Sequence, residues 1–109
     1  MKAPALIPTA QPGVKLRFAR RGDAALVLAF IHELADYEQL PHEVAADVPT
    51  LVESLFGEAP AAEVVIAEVD GMPAGFALFF HNYSTFLGRR GLYLEDLFVR
   101  PAHRGKGLG

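Results

Sequence analysis

The stretch that decides the fold is LYLEDLFVRPAHRGKGLG, residues 92–109. Residues 92–99 are mostly apolar and rich in strand-forming side chains, and Pro101 follows them, so they predict a strand that ends before the proline. Residues 104–109 alternate glycine with Lys106 and Leu108. Because glycines allow successive backbone N–H groups to point the same way, such a loop can close around an anion, for which a pyrophosphate is well suited.

Other interpretations of this glycine loop are weaker or remain open. A P-loop needs a lysine followed by serine or threonine after the glycines, and this loop lacks that order. A Rossmann fingerprint follows the first strand of a βαβ unit, whereas this loop follows a predicted antiparallel meander. A flexible glycine-rich tail stays open as an alternative, because short glycine patterns are common.

Two adjacent acids, Glu95 and Asp96, interrupt the apolar strand that precedes the loop. Side chains alternate across a strand, so the two point to opposite faces and at least one faces a packed side. A buried carboxylate is costly unless it is paired or hydrogen-bonded. We therefore expect either a functional site here, or an ion pair to Arg89, Arg90 or Arg104, or an exposed strand end at a bulge.

Length and composition indicate one small domain with a hydrophobic core. The chain has 109 residues, of which 51% are hydrophobic, and it contains no cysteine, so neither disulfides nor thiolate metal sites are expected. The four histidines show no metal-ligand spacing, and we predict no metal. The net charge of −3 argues mildly against a nucleic-acid partner, which would require a basic face.

The beginning of the chain predicts neither a signal peptide nor a membrane anchor. Three prolines interrupt residues 1–13, whereas a signal peptide needs an unbroken apolar stretch. No apolar run reaches the roughly 18 residues of a membrane span. We interpret residues 1–13 as a flexible lead-in and the protein as cytoplasmic, without a membrane partner.

The hydrophobic pattern predicts an α/β domain of the mixed α+β kind. Apolar residues recur at helical spacing in two segments and at strand spacing in four, and Asp70-Gly71 is a strong hairpin signal. Three consecutive antiparallel strands with helices packed on them are typical of this class. The predicted elements are a strand at 14–19, a helix at 24–40 starting after Asp23, a helix at 48–56, strands at 62–69 and 72–81, a loop at 82–91 and a strand at 92–99. The predicted inward residues of the helices are Val27, Phe30, Ile31, Leu34, Tyr37, Leu51, Val52, Leu55 and Phe56.

The end of the chain resembles the acetyl-CoA-binding segment of the GNAT N-acetyltransferases. In that family a strand and a proline precede Arg/Gln-x-x-Gly-x-Gly/Ala, and here Arg104, Gly107 and Gly109 occupy the pattern. The segments HELADYEQL (32–40) and YSTFLGRRGLYLEDLFV (83–99) are similar to the diamine branch, the spermidine/spermine and thialysine acetyltransferases. The resemblance covers residues 14–109.

The resemblance implies a fold and a co-substrate. GNAT proteins have a mixed, twisted sheet with helices on both faces, and two neighbouring strands splay apart to admit the pantetheine arm of acetyl-CoA. It implies that Leu97, Phe98 and Val99 offer backbone groups to the pantetheine. It also implies a pyrophosphate cradle made of Arg104, Gly105, Lys106, Gly107, Leu108 and Gly109.

The resemblance also implies an amine site, lined by Tyr37, Glu38, Glu95 and Asp96, near the interface of a homodimer. An alkyl amine titrates near 10.4, so making it neutral at pH 7 costs about 4–5 kcal/mol. A carboxylate beside the amine can bind the cation and then accept its proton, and Glu95 is our candidate for this catalytic role. For Tyr37 a core position at the helix end stays open, and for Glu38 a solvated surface position.

The implied reaction is direct transfer of an acetyl group from acetyl-CoA to a primary amine of a small polyamine or a thialysine-like substrate. The Tyr-Ser-Thr sequence at 83–85 favours the thialysine type. Family members continue past the glycine loop with further helices and strands and a tyrosine that serves as general acid. We therefore expect residues 14–109 to be an incomplete GNAT domain that is inactive alone. A non-catalytic acyl-CoA or polyamine binding module, or a fragment completed by another chain, stays open.

Overall fold

The computed structural model describes residues 6–7, 13–39 and 44–104. Most of the predicted pyrophosphate cradle, namely Gly105, Lys106, Gly107, Leu108 and Gly109, lies outside the described residues. Leu40, where the first helix was predicted to end, also lies outside them, as does most of the predicted lead-in.

The described strands form one antiparallel sheet in the order β1-β2-β3-β4-β5, with both helices inserted between β2 and β3. The predicted mixed α/β class and the order strand, helix, helix, three antiparallel strands are confirmed. No helix in the described segments is long and apolar enough to cross a membrane. The elements are β1 (Leu6–Ile7), β2 (Val14–Phe18), α1 (Ala24–Tyr37), α2 (Val48–Phe56), β3 (Glu63–Val69), β4 (Met72–Ser84) and β5 (Arg89–Val99), with 3-10 turns at Arg21–Asp23 and Pro101–His103.

The main core lies between the two helices and one face of the sheet. Phe30 of α1 is fully buried, and its ring stacks on that of Phe76 in β4 with 5.4 Å between centroids. The buried cluster, whose members alternate along each strand as a half-buried sheet requires, consists of Val27, Phe30, Leu51, Leu55, Val64, Ile66, Phe76 and Phe98. Ile31, Leu34 and Phe56 pack partly buried against it. The inward prediction was wrong for Tyr37, which is 65% exposed because it lies in the last turn of α1, beyond the core.

The N-terminal end of α1 is fixed to the sheet by an ion pair. The Asp23 carboxylate receives two hydrogen bonds from the Arg17 guanidinium, at 2.7 and 3.0 Å, and a third from the backbone N–H of Arg20 at 2.7 Å. The hydrogen bonds from Arg17 are the main reason that the pKa of Asp23 lies below its usual value. Asp23 therefore connects α1 to β2, whereas its position before the helix alone indicated only a favourable charge near the first turn.

The Asp70-Gly71 hairpin is confirmed, because both residues have positive φ, +51° and +80°, as a two-residue type I′ turn requires. The loop predicted at 82–91 was wrong over most of its length. Ser84 pairs with Arg89, so only four residues, Thr85 to Gly88, form the turn. Pairing of β3 with β4 stops at Phe79, so the strands beyond it pair only with each other. Neither face of this two-stranded arm packs on the core. Its sequence therefore does not need to alternate strictly between apolar and polar residues, and the pattern did not predict strands there.

Two other boundaries differ from the sequence prediction. Residues 6–7, which were assigned to a flexible lead-in, pair with β2 as Leu6↔Arg17 and Ile7↔Leu16. The first helix ends at Tyr37, since Gln39 adopts a left-handed conformation with φ of 62°, which no helix continues through. The end of α1 therefore presents Tyr37 and Glu38 at its exposed tip.

Candidate active site

The outer edge of β5 carries backbone groups that pair with no other strand of the described residues. Within the described chain β5 pairs only with β4, and the Arg100 N–H donates to the carbonyl of Ala74 at 2.7 Å. Because hydrogen-bonded and non-hydrogen-bonded pairs alternate in an antiparallel ladder, the peptide groups of Phe98 face β4. Those of Leu97 and Val99 face outward, and of the three residues predicted for pantetheine contacts these two offer hydrogen bonds at the edge.

Arg104 lies over this edge and reaches both β5 and α1. Its Nε donates a hydrogen bond to the Val99 carbonyl oxygen at 2.8 Å. Its guanidinium carbon lies 4.5 Å from the centroid of the Tyr37 ring and 5.5 Å from that of Phe98. Tyr37 in turn packs edge-on against Phe98. The residue that leads into the glycine loop is thus in direct contact with the tyrosine predicted for the amine site.

A β-bulge displays Glu95. Leu78 of β4 pairs with Asp96, whereas the next residue, Phe79, pairs with Leu94, so Glu95 is the extra residue of β5 and faces no partner. A bulge bends the strand locally and re-aims a side chain. Glu95 is exposed and Asp96 is half-buried. The sequence expectation of an exposed acid at a bulge therefore applies to Glu95, and the more buried position belongs to Asp96.

Asp96 lies within electrostatic reach of two other carboxylates, one of them from a distant part of the chain. The pKa of Asp96 is raised above its usual value, first by burial and then by repulsion from Glu95 and from Glu38 at the end of α1. Neither Glu95 nor Asp96 forms an ion pair within the described residues, and Arg104 makes other contacts. The alternative of a salt bridge to Arg89, Arg90 or Arg104 is therefore wrong. A group of acids without a counter-ion is suited to a cationic ligand.

An aromatic surface that the sequence did not predict lies beside these acids. Tyr93 pairs with Phe80, and the two rings stack at 5.1 Å between centroids. Leu78 and Phe80 lie on one face of β4, so their partners Asp96 and Tyr93 lie on one face of β5. Tyr93 is half exposed and can take the alkyl chain or the cation of an amine. Only the bulge puts Tyr93 on that face, since it lies three positions before Asp96, an odd spacing that in a regular strand places two side chains on opposite faces.

Replacement of Asp96 by asparagine is expected to stabilise the ligand-free protein at pH 7 by a few tenths of a kcal/mol, because solvent screens a half-exposed group. A pKa raised in the folded state gives stability that is present below the unfolded value, 3.8, and is lost as the pH rises through the folded value. Asparagine does not ionise, so the variant does not lose stability in this way as the pH rises. Thermal unfolding of both proteins between pH 3 and 8 should show a gain at neutral pH that disappears below about 3.8. A lower melting temperature of the variant at pH 7 would contradict the expected stabilisation.

The described residues fit part of an acetyl-CoA site. The outward peptide groups of Leu97 and Val99 can receive an amide-bearing chain as an added strand would be received. The guanidinium of Arg104 lies at the end of that edge, and an arginine there could bind a phosphate. A hollow of about 330 Å³ between α1 and the end of β5 adjoins Arg104, Tyr37 and Phe98.

Comparison with known proteins gives the same assignment as the motif. A sequence profile of the acetyltransferase (GNAT) family matches residues 28–109. The chain belongs to the GNAT family.

Two of its relatives have names that match the diamine branch of the GNAT proteins. A thialysine N-epsilon-acetyltransferase from Bos taurus is 38% identical over 104 residues, which cover 88% of this chain and 61% of that protein. The spermidine/spermine N(1)-acetyltransferase-like protein 1 of Homo sapiens is 32% identical over 102 residues, 87% of this chain and 14% of that protein. This GNAT chain spans about 61% of the length of the first of these relatives.

A solved structure supports the fold. The ribosomal-protein-alanine N-acetyltransferase from Brucella melitensis biovar Abortus 2308 superimposes with a TM-score of 0.66 at 24% identity, over 87% of this chain and 62% of that one. At that identity the likeness concerns the GNAT fold alone.

Proposed function

We propose that the protein containing this chain is an acetyl-CoA-dependent N-acetyltransferase that acetylates a primary amine of a small diamine, either a polyamine or a thialysine-like amino acid. The observation that carries this is the group of three carboxylates, Glu38, Glu95 and Asp96, beside the free edge of β5. Membership of the GNAT family supports the reaction type, and the relatives named for thialysine and spermidine/spermine support the substrate class.

The substrate class follows from charge. A diamine at neutral pH carries two ammonium groups, because alkyl amines titrate near 10.4. The site offers three acids without a cationic partner among the described residues. One ammonium can remain bound to Asp96 and Glu38 while the other loses its proton at Glu95. A monoamine would satisfy only part of this charge, so it should bind more weakly.

The chemical step needs a neutral amine. Glu95, exposed on the bulge, takes one proton from the ammonium, directly or through a water, and the freed nitrogen lone pair attacks the thioester carbonyl carbon. A new C–N bond forms, the C–S bond breaks, and coenzyme A leaves as a thiolate that must be protonated. The surplus proton of the nitrogen passes to this thiolate, directly or through water, so the products are the amide and the free thiol of coenzyme A. No covalent enzyme intermediate is involved, so no nucleophilic side chain is required.

The co-substrate would be held along β5. The pantetheine amides would bind the outward peptide groups of Leu97 and Val99. Arg104 and residues 105–109 would hold the pyrophosphate, through side-chain charge and glycine N–H groups. Because Arg104 donates a hydrogen bond to the Val99 carbonyl, its side chain lies at the same edge that the pantetheine would occupy.

The protein is also proposed to act as a homodimer, as the resemblance implies. Light scattering of the purified protein tests this.

The test is an amine panel with acetyl-CoA and the purified full-length protein. We expect thiol release and a mass gain of one acetyl group for thialysine, ornithine, spermidine or putrescine, and at least about tenfold lower kcat/KM for butylamine, which lacks the second cation. Binding of coenzyme A with no acetylated product from any amine would replace this proposal by a non-catalytic binding module. Acetylation of butylamine as efficient as that of the diamines would refute the role of the acid group.

A further inference from the structure

One face of α1 contacts the residues that follow the end of β5. Phe30, Glu33 and Tyr37 follow each other at spacings of three and four, so they lie on one face of the helix. Phe30 lies under the guanidinium of Arg100, with 4.7 Å from its carbon to the ring centroid, and Tyr37 lies under that of Arg104. Glu33, between them, faces the same segment of chain.

Arg100 makes the strongest of these contacts. Its Nε and one terminal nitrogen donate to the two carboxylate oxygens of Glu33 at 2.9 and 2.8 Å, and the other terminal nitrogen donates to the carbonyl of Pro73 at 3.1 Å. The side chains of Arg100 and Glu33 are 30% and 37% exposed. Bidentate arginine–carboxylate pairs fix orientation as well as distance. The guanidinium therefore joins α1, β4 and β5 at one point.

Arg100 lies between the two parts of the chain that are proposed to bind the coenzyme. It directly follows Val99, whose peptide faces the proposed pantetheine edge, and it directly precedes the turn Pro101–His103 that leads to Arg104. Its own N–H is bonded to Ala74. Backbone and side chain together thus set the direction in which the chain leaves the sheet.

We propose that Glu33 and Arg100 are positioning residues for acetyl-CoA: their ion pair fixes the end of β5 and the turn that leads to Arg104 in the orientation that the coenzyme needs. The inference rests on the proposed function, because it assumes that the coenzyme binds at this edge. Neither side chain has to touch the coenzyme. Lysine cannot replace Arg100, since one ammonium cannot form the fork to Glu33 and also reach Pro73.

The test compares Arg100→Lys, Arg100→Met and Glu33→Gln with the wild type in the full-length protein. We expect the Kd for coenzyme A, measured by calorimetry, and the KM for acetyl-CoA to rise about tenfold. The kcat at saturating acetyl-CoA should change by less than about threefold, because uniform binding is lost and the chemistry is not. The double variant Glu33→Gln/Arg100→Met should bind coenzyme A no more weakly than Arg100→Met alone, since Glu33 acts only through Arg100.

The matched control is Asp23→Asn. It breaks the Arg17–Asp23 pair, which is also bidentate and also connects α1 to the sheet, but far along the helix from Arg100. This variant should lose stability and keep the Kd for coenzyme A. Unchanged Kd in folded Arg100→Met, or an equal rise in Asp23→Asn, overturns the positioning role. A wild-type protein that binds no coenzyme A overturns the proposed function, and this inference with it.

Discussion

Replacing Glu95 by glutamine is expected to lower kcat for diamine acetylation about 100- to 1,000-fold at pH 7. Glutamine has nearly the same shape but cannot accept a proton, and only a small fraction of an amine with a pKa near 10.4 is neutral at that pH. The bulge at Glu95 exposes the carboxylate beside Asp96 and Glu38. The loss should therefore come from proton transfer, while the KM for acetyl-CoA stays within about threefold.

The pH dependence separates this role from simple charge removal. Raising the pH from 7 to 9 increases the neutral fraction of the free amine about 100-fold, so Glu95→Gln should recover a large part of its loss at alkaline pH. Initial rates at both pH values, for the same diamine, measure this. Glu63→Gln is the control, because Glu63 is an exposed glutamate at the start of β3 and should leave kcat unchanged. A Glu95→Gln enzyme with more than half the wild-type kcat at pH 7 would falsify the assignment.

Phe30→Ala should have the largest effect on stability, a loss of about 3–5 kcal/mol in the free energy of unfolding. Phe30 has no exposed surface, stacks on Phe76 and lies under Arg100. Truncation removes these contacts and leaves a cavity that the rigid sheet cannot close. Because a domain of this size has only about 5–15 kcal/mol of stability, a large fraction of the variant should be unfolded near 37 °C.

Urea unfolding followed by circular dichroism measures this loss. The control is Phe86→Ala in the turn between β4 and β5, where Phe86 is 100% exposed, and its effect should lie within about 0.5 kcal/mol. Equal midpoints for the two variants would contradict the assignment of the core to the interface between α1 and the sheet.

Local pattern was enough for much of the fold. The helix at residues 48–56, the Asp70-Gly71 hairpin and the burial of Val27 and Phe30 follow from spacing and turn chemistry, because these signals act within a few residues of each other. Three similar segments in the right order, 32–40, 83–99 and the glycine motif at 104–109, were enough to indicate the family, because together they are more specific than a lone glycine pattern.

Other features of the fold and of the candidate site were decided only by the tertiary structure. Residues 82–91 have a loop-like composition. Residues 82–84 nevertheless pair with residues 89–91 as two strands, because each strand supplies the hydrogen-bond partners of the other. The bulge that displays Glu95 depends on the register between β4 and β5, which one strand alone does not specify. Glu33 and Arg100 lie 67 positions apart, and Glu38 and Asp96 are similarly distant in sequence. The sequence by itself determined the family and some of the residues that can carry the proposed chemistry, among them Glu38, Glu95 and Asp96. Packing of α1 on the sheet decided which of them meet, because contacts between remote segments depend on the folded chain and leave no local pattern.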